Sequence, residues 1–199
     1  MNRKKNNILL LFTRLFVMVP LTVFADGGND IQYKFTQTDS TLSFYGSFKT
    51  IKRPDCLLEV FLNYNHIKAL APDAKEVQLI DQGINWNKIR YIYQKFIFFE
   101  NISVWNRKLS MEKQRLDFIL VSSLNNMVTI PKMISSSGFY QVKTQGEDII
   151  VEYYQHCQLT KSLVTNLYLN IVKNEAIHFM ERLLEYSNTI CSDKPAINN

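Results

Sequence analysis

The sequence contains few residues that would divide or cross-link the chain. Its 199 residues include six glycines, five prolines and three cysteines, and no repeat, linker or low-complexity tract separates one part from another. The cysteines show neither a CxxC motif nor a His/Cys spacing of the kind that binds zinc. Glycine-rich phosphate loops and dinucleotide fingerprints are absent. We therefore predict a single domain and expect no metal and no cofactor.

Long apolar runs are also lacking, except at the N-terminus. There a basic head at residues 3–5 precedes a mostly apolar run from Ile8 to Phe24, and small residues flank Phe24. This order is typical of a secretory signal peptide that is cleaved after Ala25. Because Arg14 leaves only about ten uninterrupted apolar residues, where a membrane span needs roughly 20, cleavage is favoured over an uncleaved anchor helix.

These boundaries divide the chain into three parts. We predict a signal peptide over residues 1–25, one domain over 26–191 and a flexible tail over 192–199. The protein would then be exported, to the periplasm if its source is a Gram-negative bacterium and otherwise by secretion.

An excess of charge of one sign is missing once the leader is set aside. The whole chain has 23 basic and 18 acidic residues and a formal net charge of +5. Four of the basic residues lie in the leader, so the mature chain keeps 19 basic and 18 acidic residues and a net charge of +1. This balance argues against nucleic acid as a partner, which requires a basic footprint. It also argues against strong docking on anionic membranes, so any membrane contact should be transient.

What the sequence has in abundance is the alternating apolar pattern of β-strands. The predicted strands are Thr41–Ile51, Glu76–Ile80, Asn85–Gln94, Phe96–Lys108, Gln114–Leu124, Met133–Thr144 and Asp148–Gln158. After the first strand a helix begins at Pro54, since proline is tolerated in a first turn, and it is stopped at Ala71-Pro72-Asp73. A turn at Gly146 joins the last two strands into a hairpin.

The chain closes with one long predicted helix, Lys161–Asn188. Its apolar residues recur at alternating steps of three and four, which makes a single stripe. The stripe consists of Leu169, Val172, Ala176, Phe179, Leu183 and Tyr186. This order of elements predicts an α+β fold, in which a curved antiparallel sheet of about six to seven strands grips a long C-terminal helix.

The long helix also constrains the cysteines. It would lie between Cys157 and Cys191 and separate them by roughly 35 Å, which is too far for a disulfide. Cys56 could pair with either of the two or with neither.

Four short segments, in this order and spacing, resemble the START-like (SRPBCC, helix-grip) superfamily over about Phe44 to Tyr186. The segments are Arg115-Leu116-Asp117-Phe118, Ser136-Ser137-Gly138-Phe139, Val151-Glu152-Tyr153 and Leu163-Val164-Thr165-Asn166. One departure is Gln158-Leu159-Thr160-Lys161, which stands where START domains usually have an acidic residue, a glycine and a proline. The resemblance therefore implies the superfamily and leaves the subfamily and its lipid open.

The resemblance implies a deep cavity between the concave sheet and the last helix. Such cavities hold lipids, sterols or other apolar molecules in this superfamily, and a minority of members are enzymes. The residues expected to line the cavity here are Tyr91, Tyr93, Glu100, Phe118, Leu120, Tyr140, Val142, Val151, Tyr153, Val172, Phe179 and Leu183. Tyrosines suit such a wall, because each brings an apolar ring and a hydroxyl that can orient a ligand.

Catalytic residues are not indicated. The three histidines, His66, His156 and His178, have no neighbouring serine or cysteine in a nucleophile motif, which favours surface or packing roles. Arg115 and Asp117 share one side of a strand, and a pair on the solvent side is favoured over a pair at the cavity floor.

Glu100 stands inside a strongly apolar segment. Its carboxylate either faces water or meets a cation such as Arg90 or Arg107, because a buried unpaired carboxylate would be costly. It is therefore a candidate polar handle for a ligand.

The function predicted from the sequence is that of an exported START-like protein that binds a lipid or another hydrophobic small molecule in an internal cavity, with transport as one use. One alternative is a cyclase- or hydrolase-like enzyme on the same fold. Another is a non-catalytic interaction module with a packed core. A connected cavity between sheet and helix is expected for the binding protein and for the enzyme, and it is not expected for the packed interaction module.

Overall fold

The computed structural model describes residues 23–26, 31–96, 99–125 and 129–191, with the backbone alone at 23–26, 95, 96 and 99. The strands are β1 (Val23–Asp26), β2 (Ile31–Gln37), β3 (Thr41–Thr50), β4 (Glu76–Gly83), β5 (Trp86–Phe96), β6 (Phe99–Ser110), β7 (Arg115–Asn125), β8 (Met133–Gln145) and β9 (Asp148–Leu159). The helices are α1 (Pro54–Leu62), α2 (Tyr64–Leu70) and α3 (Thr165–Ile190). The tail predicted over 192–199 and residues 1–22 of the predicted leader lie outside the described residues.

The strands form one antiparallel sheet in the order β1-β2-β3-β9-β8-β7-β6-β5-β4. Hairpin neighbours along the chain are also neighbours in the sheet, and the pairing of β3 with β9 joins the two ends of the domain. The helix α3 lies on the concave face, as the α+β prediction requires. The sheet has nine strands within the described ranges, which is more than the six to seven predicted.

The additional strands are β1 and β2, which lie before the first predicted strand. In β2, Ile31 and Tyr33 are buried while the residues after each of them are exposed, so the strand carries the alternation of a half-buried edge. The backbone of β1 pairs with β2 from Val23 opposite Phe35 to Asp26 opposite Gln32. Cleavage after Ala25 would remove most of β1 and leave β2 at the edge of the sheet.

The helical segment after β3 consists of two helices where the sequence predicts one. Asn63 between them has extended backbone angles, and its side-chain oxygen accepts the backbone N–H of Asn65 at 2.9 Å. This hydrogen bond caps the N-terminus of α2, a role in which asparagine is favoured. The predicted start at Pro54 and the stop at Ala71 agree with the structure.

The long helix α3 runs over 26 residues, from Thr165 to Ile190. It begins later than predicted because Thr165 takes part in a turn, in which its Oγ1 accepts the backbone N–H of Ser162 at 2.7 Å. Leu169, Ala176 and Leu183 of the predicted stripe are buried against the sheet. No helix within the described ranges is long and apolar enough to cross a membrane.

A disulfide joins Cys56 in the first turn of α1 to Cys191, directly after α3, with a Cα–Cα distance of 5.8 Å. The predicted absence of a Cys157–Cys191 bond is confirmed, and the alternative left open for Cys56 is decided. Cys157 is a free thiol buried in β9, and burial raises its pKa to about 11.

Candidate ligand-binding cavity

A cavity of about 770 Å³ lies between the middle of the sheet and α3. Strands β5 to β9 form its floor, α3 forms its roof, and the C-terminal ends of α1 and α2 close one side. Ligand pockets in proteins span about 300–1,000 Å³ and are mostly apolar with a few polar groups. The cavity therefore has the size and position of a small-molecule site.

The floor is built from aromatic rings on three adjacent strands. The ring of Tyr140 lies 5.2 Å from that of Phe118 and 5.1 Å from that of Tyr153, measured between centroids. These rings meet because Tyr140 pairs directly with Tyr153 in the sheet, and Phe118 is two residues from Leu116, which pairs with Tyr140. Phe179 of α3 lies above them, 5.3 Å from Tyr153. The floor is thus apolar and offers flat ring faces to a ligand.

Gly138 allows this floor to be flat. It lies opposite Phe118 in the sheet, and a Cβ at this position would stand 2.5 Å from Phe118 Cζ and 2.0 Å from the backbone oxygen of Tyr154. Such distances are far below van der Waals contact, so no other residue fits. The ring of Phe118 covers the glycine and fills the space that a side chain would take.

The tyrosine hydroxyls of the cavity are neutral at physiological pH. Desolvation by burial raises the pKa of Tyr91, Tyr93, Tyr140 and Tyr153 above the ordinary value of 10.0. Tyr153 donates its hydroxyl to Oε1 of Gln155 at 2.6 Å. These hydroxyls can orient a ligand without bringing charge into the cavity.

Arg107 on β6 brings a positive charge to the wall below α1. It is 6% exposed, and its Nη2 donates to the backbone oxygen of Phe61 at 2.7 Å. Beside it, Asn87 Nδ2 donates to the oxygen of Leu62 at 2.6 Å. These two bonds satisfy carbonyls that the C-terminus of α1 leaves open. Nη1 of Arg107 is buried without a hydrogen-bond partner among the described residues.

The mouth of the cavity lies toward the N-terminal half of α3. Pairing between β7 and β8 covers only Arg115–Ile119 with Ser137–Gln141, so the two strands are unpaired beyond that point. Ile130 lines the opening from the chain between these strands, and Leu167 of α3 lines it while 64% exposed. An apolar rim therefore surrounds the end at which the sheet is open.

A second depression, of about 570 Å³, lies between α1 and the hairpin of β4 and β5. Its lining mixes charged and amide side chains, such as Asp55 and Gln82, with apolar ones such as Leu58 and Ile84. It is therefore less apolar than the aromatic cavity. Among the described residues, no group of three or more His, Cys, Asp or Glu could hold a metal ion.

Comparison with solved structures identifies the architecture. A STAR-related lipid transfer protein from Xanthomonas axonopodis superposes with a TM-score of 0.65 at 12% identity, over 83% of this chain and 97% of the other. The Zhui aromatase/cyclase from Streptomyces sp. R1128 gives a TM-score of 0.63 at 10% identity, over 77% and 97%. For human STARD10 the values are 0.62 and 11%, over 84% and 74%. The protein has the START-like helix-grip fold.

At sequence identities of 10–12%, these comparisons show a shared fold and nothing beyond it. No protein-family model and no curated protein matches the sequence. The fold class predicted from the sequence is confirmed, including the helix gripped by a curved sheet, and it is the fold that the START-like resemblance implies. One of these similar structures is a lipid transfer protein and another an aromatase/cyclase, so the fold accommodates both binding and chemistry.

The cavity brings together seven of the twelve residues predicted to line it. They are Tyr91, Tyr93, Phe118, Tyr140, Tyr153, Val172 and Phe179. Contact of these seven with a ligand remains a prediction. Five of them lie on strands, where alternation turns every second side chain to the concave face, and Val172 and Phe179 lie on α3 above them.

The other five predicted residues do not line the cavity. Val142, Val151 and Leu183 are at most 2% exposed and belong to the packed core. Leu120 lies beside a one-residue bulge, since Leu120 pairs with Trp105 but Ser122 pairs with Val104. Glu100 is next to the lining residue Asn101, so strand alternation turns its side chain to the other face.

Sequence reasoning missed several lining residues, among them Trp105, Arg107 and Ala176. Trp105 and Arg107 are separated from Asn101 by even numbers of residues on β6, so all three side chains point to the same face of the sheet. The sequence does not tell which face of this strand is the concave one. The sequence interpretation centred on Glu100 and named Arg107 only as its partner. Ala176 was placed on the helical stripe but is too small to have suggested a wall.

The residues considered for chemistry lie outside the cavity lining. His66 Nδ1 is hydrogen-bonded to the hydroxyl of Tyr186 at 2.9 Å, and His156 Nδ1 to Oγ of Ser43 at 2.8 Å. His178 is exposed beside Glu181. His66 and His156 thus make packing contacts and His178 lies at the surface, and that none of the three is catalytic stays a prediction.

Arg115 and Asp117 form an exposed ion pair at 2.6 Å, and the guanidinium lies 3.9 Å from the ring centre of Phe139. The solvent-side reading of this pair is confirmed.

Proposed function

We propose that this protein binds a hydrophobic small molecule in the cavity between the sheet and α3, outside the cytoplasm. The observation that carries the proposal is the aromatic floor of Phe118, Tyr140 and Tyr153 beneath a cavity of about 770 Å³. Transfer of apolar surface from water favours binding by about 0.8 kcal/mol per methylene. A chain of 15 methylenes would gain roughly 12 kcal/mol, from which ordering and association subtract several.

Two features support the extracytoplasmic location. The first is the leader-like sequence over residues 1–25. The second is the Cys56–Cys191 disulfide, because such bonds persist in oxidising compartments and are rare in the cytosol. An apolar molecule that must cross an aqueous compartment needs a protein to shield it, which is the role proposed here.

An enzyme on the same fold is the second candidate. It is favoured by the likeness to the Zhui aromatase/cyclase and by the tyrosine hydroxyls on the wall. This candidate predicts that a bound molecule leaves chemically changed. A packed interaction module is disfavoured, because it predicts no continuous cavity.

Native mass spectrometry of the mature protein from its own cells tests the proposal. We expect a co-purifying apolar molecule at near one-to-one stoichiometry, which solvent extraction would identify. The stripped protein should take up the same molecule again from a lipid extract. A clean apo mass with no uptake would contradict the proposal, and conversion of the molecule on incubation would favour the enzyme.

Two variants of α3 make the test specific to the cavity. Ala176→Phe places a ring in the cavity from its roof, since Ala176 lines it and is 5% exposed. We expect uptake to fall at least about tenfold, because the new ring occupies the ligand's space. Asn174→Phe adds the same ring at an exposed position of the same helix and should leave uptake unchanged. Equal uptake by both variants would exclude this cavity as the site.

A further inference from the structure

We propose that the ligand is an apolar carboxylic acid with a single chain or a compact ring system, and that its carboxylate pairs with Arg107. The inference rests on the function proposed above and names the chemical class that the cavity selects. It is carried by one atom, Nη1 of Arg107, which is buried at the cavity wall without a hydrogen-bond partner among the described residues.

The structural role of Arg107 does not require its charge. Its Nη2 satisfies the Phe61 carbonyl at the end of α1, but Asn87 does the same for the Leu62 carbonyl with a neutral amide. A neutral side chain of suitable length would therefore serve α1 equally well. Nη1 is left without a hydrogen-bond partner among the described residues, while the charge lies against the ring and hydroxyl of Tyr140.

Arg107 takes part in none of the ion pairs found among the described residues. The predicted partner Glu100 is turned to the other face of β6, and the acidic lining residues Asp73 and Glu175 are more exposed than Arg107. Asp73 lies 3.5 Å from Arg182 instead. Since a buried unpaired charge is costly, an anion that enters the cavity is favoured at this position.

The surroundings of Arg107 suit a carboxylate on an apolar body. The ring of Tyr140 lies 5.9 Å from the guanidinium carbon, and the aromatic floor extends from there beneath α3. Neutral hydroxyls on Tyr91 and Tyr140 face the charge and can donate to a second carboxylate oxygen. The site thus offers charge at one end and apolar surface along the rest.

The volume suits an acid of this size. A methylene takes about the space of a water molecule, about 30 Å³ in the liquid, so about 770 Å³ corresponds to roughly 25 non-hydrogen atoms. A single-chain fatty acid or a compact polycyclic acid therefore fills most of the cavity. A diacyl phospholipid, with roughly twice as many atoms, would extend through the open mouth.

Intrinsic fluorescence offers a direct assay. The chain has two tryptophans: Trp105 lines this cavity, and Trp86 lies in the other depression. In a Trp86→Phe background, Trp105 reports on the cavity alone. The stripped mature protein would be titrated with oleic acid, oleyl alcohol and dioleoyl phosphatidic acid. Charge-assisted hydrogen bonds predict that the acid binds roughly 10- to 100-fold more tightly than the alcohol, and that the phosphatidic acid binds more weakly than oleic acid.

Two variants assign the preference to Arg107. Arg107→Gln should reduce the ratio of acid to alcohol affinity to near one while alcohol binding persists. Arg115→Gln removes an exposed guanidinium on the outer face and should leave the ratio unchanged. If Arg107→Gln does not fold, the ratio of acid to alcohol affinity is compared between the unsubstituted protein and Arg107→Lys, which keeps the charge. Both proteins should then bind the acid more tightly than the alcohol.

Each outcome has one meaning. Equal affinity for acid and alcohol would overturn the inference and leave the proposed function intact. The same result is expected if a water molecule, and not a ligand carboxylate, bridges Nη1 of Arg107 and the buried Oδ1 of Asn87. An acid preference that survives Arg107→Gln would overturn the role of this residue. If none of the probes binds, the inference is overturned, and the mass-spectrometric test decides separately whether the cavity holds another hydrophobic molecule.

Discussion

Removal of the Cys56–Cys191 disulfide should destabilise the protein strongly. The bond closes a loop with a sequence separation of 135 residues, and chain-entropy reasoning assigns such a loop about 5 kcal/mol of stabilisation at 25 °C. Native disulfides typically contribute about 2–5 kcal/mol. A loss of about 4 kcal/mol would lower Tm by roughly 8–16 °C in a domain of this length.

The perturbation is the double variant Cys56→Ala/Cys191→Ala. Alanine is preferable to serine, because Cys191 is 1% exposed and a buried hydroxyl without a partner would add its own cost. Urea unfolding of the two proteins, followed by circular dichroism, gives the difference in unfolding free energy. A difference below about 1 kcal/mol would refute the reasoning, since the loop would then not constrain the unfolded chain as described.

Alkylation shows whether the bond exists in the protein under study. The unreduced protein in denaturant should accept one iodoacetamide, at Cys157, and the reduced protein should accept three, one for each cysteine. In the native state Cys157 should react slowly, because burial raises the pKa of its thiol to about 11. Two or three adducts on the unreduced protein would exclude the disulfide.

Further predictions concern the floor, alkaline pH and the leader. Gly138→Ala should destabilise the fold by about 3 kcal/mol, because its Cβ would stand 2.0 Å from a backbone oxygen; urea unfolding measures this, and exposed Ser137→Ala is the control. Stability should fall as pH rises from about 9 toward 12, since burial raises the pKa of Cys157 from 9.0 to about 11 and that of Tyr33 from 10.0 to about 12. In that window the unfolded chain releases protons that the folded chain retains. Unfolding at a series of pH values tests this, and an increase in stability over that window would contradict it. The intact mass of the mature protein should place its N-terminus at Asp26; a mass that retains residues 1–25 would contradict cleavage.

Much of the fold follows from local patterns in the sequence. Strands β7, β8 and β9 could be predicted because apolar side chains alternate with polar ones along part of each strand and Gly146, with φ of +65°, marks a two-residue turn. The helix α3 follows from its stripe. The break at Asn63 was missed because the apolar spacing continues across it. The strand β2 was missed because its alternation is short and lies next to the leader.

The cavity could be predicted only in part. Alternation identifies which residues share a face, and on that basis Tyr91, Tyr140 and Tyr153 were placed correctly on the wall. Alternation does not tell where along a strand the cavity ends and tight packing against the helices begins. Val142 and Val151 were therefore predicted to line the cavity, but they lie in the packed core. A bulge such as that beside Leu120 changes the parity of a strand without a clear signal in the sequence.

The helix α1 links the disulfide to the proposed anion site. One end of this nine-residue helix carries Cys56, and at the other end Phe61 stacks on Tyr140 at 5.1 Å and accepts a hydrogen bond from Arg107. Because Cys56 is bonded to Cys191, α1 and the C-terminal end of α3 are held together covalently. The opposite end, lined by Ile130 and Leu167, is unpaired between β7 and β8 and lies outside this covalent constraint.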